Sequence, residues 1–244
     1  MATYTCIIPA KATSSRLENK NSRVCYGVPL VGRAVRLARA SGYFQTILVS
    51  TESSEMLSLA QRYGPIEEHY LRPAQYATPH SPVEDSIAHA LEYLASVGKQ
   101  TEYVCLLHPT SPCLKVARIK MALERIRMAR ADMLISVSDA DVPLNVMRRL
   151  GTALKGFLTN TDRLARTQDR PMMVKLNNAI VVGKWEIFAA KKDWYQTDVI
   201  PFLIPKTEAI DIDTYEDFVM AEAILAWRDT IERKQIEKPV SVDL

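Results

Sequence analysis

Apolar and polar positions fall into alternating blocks along this chain. Residues 4–8, 46–50 and 103–107 are short, almost unbroken apolar runs, the pattern of strands buried on both faces of a sheet. Residues 30–40, 53–63, 83–96 and 116–129 instead repeat their apolar side chains at helical spacing. This βαβ rhythm predicts an α/β fold: a mostly parallel sheet flanked by helices, with ligands collecting outside the carboxyl ends of the strands. The rhythm breaks between 139 and 203, where Pro143, the apolar-basic stretch from Val142 to Leu154 and the run from Arg163 to Pro171 predict an inserted lobe. A surface excursion packed on its own subunit fits that stretch equally. The core is then expected over 1–138 and 204–228, with a frayed helix and tail over 229–244.

The first strand runs directly into a polar, basic loop. Lys11, Arg16 and Lys20, beside the hydroxyls of Ser14 and Ser15, suit a polyphosphate. There is no Gly-x-Gly-x-x-Gly and no Walker loop, so side chains and a metal, rather than a glycine cradle, would hold the phosphates. Near the other end, Asp211 and Asp213 lie two residues apart on an extended, apolar segment, so both carboxylates can face one hard cation such as Mg²⁺. The same residues also read as a helix start, with Asp213 or Thr214 capping and Glu216 and Asp217 in the first turn. His108-Pro-Thr-Ser-Pro112 follows the third apolar run, which brings it to the same sheet edge.

Composition narrows the partners. Of 244 residues, 48% are hydrophobic, enough for one main domain; 31 basic and 28 acidic residues leave +3, with no basic run or aromatic-basic interleaving for nucleic acid. Four cysteines without Cys-x-x-Cys spacing, two of them inside apolar runs, suit a reducing cytoplasm. No apolar run is long enough to span a bilayer, and no charged-then-apolar leader is evident.

Pro9-Ala10-Lys11, Lys20-Asn21, Thr110-Ser111-Pro112 and Asp211-Ile212-Asp213, in that order, resemble the motifs of the acylneuraminate cytidylyltransferases, or CMP-sialic acid synthetases. The resemblance covers about 4–228. Ser14-Ser15-Arg16-Leu17 is closer to the related CMP-Kdo synthetases, whereas Asn21, Arg166-Thr-Gln168-Asp169 and Asn177-Asn178 are closer to the sialic acid group. The resemblance implies a Rossmann-like fold of the nucleotide-diphospho-sugar transferase type with a small inserted dimerisation lobe, in which apolar residues such as Val146 and Met147 would be covered by a partner. It also implies a Mg²⁺-dependent attack of the anomeric hydroxyl of a 2-keto-3-deoxy sugar acid on the α-phosphorus of CTP, releasing pyrophosphate. In that reading Lys11, Lys20, Asp211 and Asp213 are catalytic, the two aspartates holding metal or Asp211 serving as base. Ala10, Lys11, Ser14, Ser15, Arg16, Lys20, Asn21, Arg72 and Ser81 contact nucleotide. His108, Thr110, Ser111, Arg166, Gln168, Lys175 and Asn177 contact the acceptor, with Arg166 as the fork for its carboxylate.

Departures from the family pattern concentrate on the acceptor side. Lys11 stands where the family has arginine, Ala12-Thr13 where it has two glycines, His108 where it has glutamine, and Lys175 near its pocket tyrosine. They imply a legionaminic-, pseudaminic- or Kdo-like acceptor rather than N-acetylneuraminate. A nucleotide-sugar glycosyltransferase and a non-catalytic relative that binds CTP or sugar are the rival classes.

Overall fold

A computed structural model describes residues 2–14, 16–78, 81–140, 173–190 and 194–236, the last five by backbone alone. Six strands form the central sheet: β1 (Tyr4–Pro9), β4 (Phe44–Ser50), β5 (Tyr103–Leu107), β6 (Met133–Asp139), β7 (Val174–Lys184) and β8 (Val199–Leu203). Their spatial order is β4-β1-β5-β7-β6-β8. β7 pairs antiparallel with both neighbours and the rest run in one direction, so the sheet is mostly parallel. A small hairpin, β2 (Val24–Cys25) with β3 (Val28–Pro29), turns through Tyr26 and Gly27, both at positive φ, as a tight two-residue hairpin requires.

The strands alternate between two cores. From β1, Tyr4, Cys6 and Ile8 face a cluster shared with α1 (Leu30–Ser41), α2 (Ser54–Gln61) and α4 (Val116–Ala129). Ile7 faces the opposite cluster, with α3 (Val83–Ser96) and the short α5 (Trp185–Ala189). The two-residue period of an extended chain produces this division, and a strand buried on both faces must be apolar throughout. A third cluster lies at the carboxyl edge, where Leu17, Cys25, Leu30, Cys113 and Ile212 pack with Phe218 and Ala221 of α6 (Tyr215–Ile236).

The expected insertion over 139–203 is corrected at its far end. Residues 174–203 supply β7, α5 and β8, all part of the main body. The rhythm failed there because a strand running against its neighbours needs no helical crossover, and because β8 is an edge strand that tolerates Pro201. The proposed lobe contacts at Val146 and Met147 lie outside the described residues. Helix α6 runs on to Ile236, into the segment expected as a frayed helix and tail.

Ile7, fully buried at the centre of the sheet, has little room to relax around a cavity. Ile7→Ala is expected to cost about 2–5 kcal/mol, read as a lower urea midpoint with an unchanged slope.

Candidate functional site

The loop after β1 is held in place by its own backbone. Ala10 N–H donates to the Ser50 carbonyl at 2.9 Å, extending the β1–β4 pairing by one residue, and Ala12 N–H donates to Glu52 Oε1 at 2.9 Å. Asn21 Nδ2 donates to the Lys11 carbonyl at 2.7 Å, closing the loop on itself. Asn19 at φ 53 makes the turn into this closure, and Leu17 anchors the loop in the third cluster. The basic side chains are thereby presented outward.

Opposite them stands the aspartate pair. Ile212 is fully buried and its N–H donates to the Thr110 carbonyl at 2.8 Å, so its neighbours Asp211 and Asp213 point away from the core toward the cleft. Asp213 pairs with Arg16 at 2.7 Å and Lys20 at 3.0 Å, which ties the basic loop to a segment almost two hundred residues later in the chain. Asp217 folds back to accept from the N–H groups of Asp213 and Thr214 at 3.1 and 2.8 Å, while Thr214 Oγ1 accepts from Asp217 N–H at 3.3 Å. This is a capping box, and the helix-start reading of the segment therefore coexists with its place at the cleft.

Between loop and aspartates lies a cleft of about 400 Å³, lined among others by Lys11, Arg16, Lys20 and Asn21. Arg72, Ser81, His108 and Thr110 complete its walls. Arg72 is only 6% exposed, and its guanidinium donates to the Ser50 hydroxyl at 3.1 Å and to the Ser50 carbonyl. Burial pushes its pKa down, opposed by the charge of Glu52. Burial likewise lowers the His108 pKa; Asp211 opposes the shift and Lys20 adds to it.

A second cleft of about 590 Å³ adjoins the first, and Asp211 lines both. Lys175 and Asn177 lie on its wall, with Ser138 and Asn178 beside them. The β6–β7 register shifts here: Ile135 pairs with Val181 but Val137 with Leu176, so β7 bulges across Asn177–Ala179, with Asn178 at φ 53. Bulges of this kind re-aim side chains next to functional sites.

Some expected contacts sit elsewhere. Ala10 is fully buried with its N–H engaged, Ser111 is buried in the turn after β5, where its N–H donates to the His108 carbonyl at 3.1 Å, and Ser14 lines neither cleft. Asn21 spends one amide N–H on the loop and keeps its amide oxygen and second N–H. Ser15, Arg166 and Gln168 lie outside the described residues. Ser136, Ser138 and Tyr76 escaped the sequence reading; the i, i+2 hydroxyls of Ser136 and Ser138 at the end of an apolar strand were the available signal.

Among the described residues no cluster of three or more acidic, histidine or cysteine side chains could hold a metal unaided. The two carboxylates lining one cleft nevertheless fit a hard cation that draws its other ligands from water and phosphate oxygens.

A family model described as Cytidylyltransferase matches residues 5–227. CMP-N,N'-diacetyllegionaminic acid synthase of Legionella pneumophila is 30% identical over 223 residues, 90% of this chain and 94% of that protein. Pseudaminic acid cytidylyltransferase of Campylobacter jejuni is 25% identical over 226 residues, with the same coverage of both chains. Among solved structures, a CMP:2-keto-3-deoxy-manno-octonic acid synthetase complexed with CTP superposes with a TM-score of 0.68 at 14% identity, over 93% of this chain and all of that one.

The capping box makes a pH-dependent contribution. Partial burial raises the Asp217 pKa, but the backbone N–H groups of Thr214 and Asp213 outweigh it and hold the carboxyl below its ordinary value. The carboxylate's contribution is thus complete above the unfolded value and disappears as pH falls through the lower folded one. Asp217→Ala should lower stability by about 1 kcal/mol at pH 7, and its difference from the parent should shrink below about pH 4, as compared by urea midpoints across pH.

Proposed function

The chain belongs to the cytidylyltransferase family, and from that premise we propose that it activates a nonulosonic acid with CTP, giving the CMP-sugar and pyrophosphate. One observation carries the assignment: Asp211 lines both clefts, so a carboxylate stands where a nucleotide in the smaller cleft would meet an acceptor in the larger. The anomeric hydroxyl oxygen forms a new bond to the α-phosphorus, the bond from that phosphorus to the bridging oxygen breaks, and pyrophosphate leaves with the electron pair. In this reading Asp211 either shares a metal with Asp213 or takes the hydroxyl proton.

Most of the catalysis then comes from positioning and charge. Lys11, Arg16 and Lys20 neutralise phosphate oxygens that gain charge as pyrophosphate departs. Arg72, immobilised by Ser50, offers a fixed cation behind the loop, and Asn21 offers its amide oxygen to the base. Asp211 and Asp213 would hold Mg²⁺, which supplies Lewis-acid stabilisation of the phosphates when bound. Arg16 and Lys20 would exchange Asp213 for phosphate as nucleotide enters.

A homodimer is also proposed, through the inserted stretch expected from 139 onward, most of whose sequence up to β7 lies outside the described residues. Support comes from the adjoining start of β7, where Val174 and Leu176 are 47% and 52% exposed, more apolar surface than an edge in water needs. All four cysteines are free and buried, in keeping with the proposed cytoplasmic location, and no helix among the described residues is long and apolar enough to cross a membrane.

The deciding assay is pyrophosphate release with Mg²⁺ over the four nucleoside triphosphates and a panel of neuraminic, legionaminic, pseudaminic and Kdo-type acids. CTP with a nonulosonic acid should be productive; turnover with another nucleotide, or CTP binding without turnover on any acid, would refute the assignment. In the same assay Asp213→Asn should lower kcat by at least about a hundredfold while leaving Tm within a few degrees. Lys11→Ala should raise KM for CTP more than KM for the acid, and equal effects on both would remove Lys11 from the nucleotide side.

A further inference from the structure

Residues 50–52, where β4 ends, fasten three segments together at the carboxyl edge of the sheet. The Ser50 carbonyl accepts from Ala10 N–H at 2.9 Å and from the Arg72 guanidinium, and the Thr51 carbonyl accepts from Arg72 N–H at 2.7 Å. Thr51 Oγ1 accepts from Ser53 N–H at 3.2 Å, and Ser53 Oγ caps α2 by accepting from Met56 N–H at 3.1 Å. The backbone at Glu52 is thus fixed on both sides, by the sheet and by a capped helix. From that rigid base the Glu52 side chain reaches to the loop after β1, where its Oε1 accepts from Ala12 N–H at 2.9 Å.

Glu52 lines neither cleft, and its Oε2 is buried with no donor among the described residues. A carboxylate set back in this way meets no substrate; what it holds is the loop. An anionic oxygen without a donor is costly, and Arg72, whose burial-lowered pKa the Glu52 charge opposes, supplies compensating charge. Ala12 also lines neither cleft, whereas its neighbour Lys11 lines the smaller one. With its N–H turned to Glu52, residue 12 has no backbone donor left for a phosphate, and alanine is tolerated there because no ligand has to approach that stretch of backbone.

Resting on the cytidylyltransferase reading, we infer that Glu52 is a positioning residue for the nucleotide: by holding Ala12 N–H it fixes the direction of Lys11 and leaves the triphosphate to side chains instead of the loop backbone. This role runs against the sign of its charge. An anion near a polyphosphate site weakens binding by repulsion, so removing it would tighten CTP if charge alone mattered. Positioning gives the reverse outcome, because a loop released at residue 12 lets Lys11 move away from the phosphate it neutralises. Glu52 itself touches no substrate; it acts through Ala12 and Lys11.

The test compares the intact chain with its Glu52→Gln, Glu52→Asp and Glu52→Ala variants. Binding of CTP with Mg²⁺ is measured by calorimetry, and pyrophosphate release with whichever of N,N'-diacetyllegionaminic, pseudaminic or N-acetylneuraminic acid the parent turns over fastest. Glu52→Gln keeps the reach and an acceptor oxygen while discarding the charge, and should bind CTP within about threefold of the parent. Glu52→Asp keeps the charge but falls one methylene short, and Glu52→Ala loses both. Each of these two should raise Kd and KM for CTP roughly tenfold, with KM for the acid and Tm little changed. If Glu52→Ala fails to fold, the contrast between Glu52→Gln and Glu52→Asp decides the matter. Tighter CTP binding by Glu52→Ala, unchanged affinity in Glu52→Asp, a Glu52→Gln as weak as Glu52→Asp, or equal rises in KM for CTP and acid would overturn the inference alone. A parent that neither binds CTP nor releases pyrophosphate with any acid would overturn the cytidylyltransferase reading and this inference with it.

Discussion

Ile212 is fully buried beside Leu17, Cys25, Cys113 and Phe218, and Thr110 holds its N–H, so the aspartates on either side of it cannot turn inward. One apolar side chain thereby sets the direction of two carboxylates. The same cluster contains an anchor from each segment that meets at the cleft: Leu17 from the basic loop, Cys113 from the turn after β5, and Phe218 from α6. The site has a small hydrophobic core of its own, separate from the two that hold the sheet to its helices. Since a packed core resists deformation, groups distant in sequence are kept in fixed register without relying on a partly exposed ion pair.

Above that core the chemistry is divided. Lys11, Arg16, Lys20 and Arg72 gather on the loop side; on the bulged side of β7, Ser138, Asn177 and Asn178 stand beside Lys175 and Lys206, with Asp211 lining both clefts. β7 makes the second half possible. Because it runs against its neighbours, its amino-terminal half emerges at the edge where the other strands end, placing Lys175 and Asn177 near loops they could not reach from a parallel strand.

The first half of the fold was legible because period and burial coincide there: the 103–107 run became β5, and 83–96 and 116–129 became helices with those bounds. The aspartate pair and the basic loop were legible as chemistry because neither pattern makes sense as core. The second half was less so. β7 begins with five exposed or half-buried residues before its apolar run, which obscures the strand, and its pairing with β5 and β6 is a tertiary fact that no local period encodes. Ser136 and Ser138 went unnoticed for a related reason, since a serine in an apolar strand acquires meaning only when the opposite strand bulges to meet it.

Asp213 pairs with Arg16 and Lys20, acting as an internal counter-ion for the loop. Such a carboxylate works as a gatekeeper. Any polyanion approaching the surface meets two cations that already share one carboxylate, and must outcompete that tethered rival to gain them. A weakly charged or badly shaped anion has too little to offer. Self-competition of this kind trades a little affinity for discrimination, and lets a chain of net charge +3 carry a strongly basic loop without becoming a general sink for nucleic acids and free phosphate.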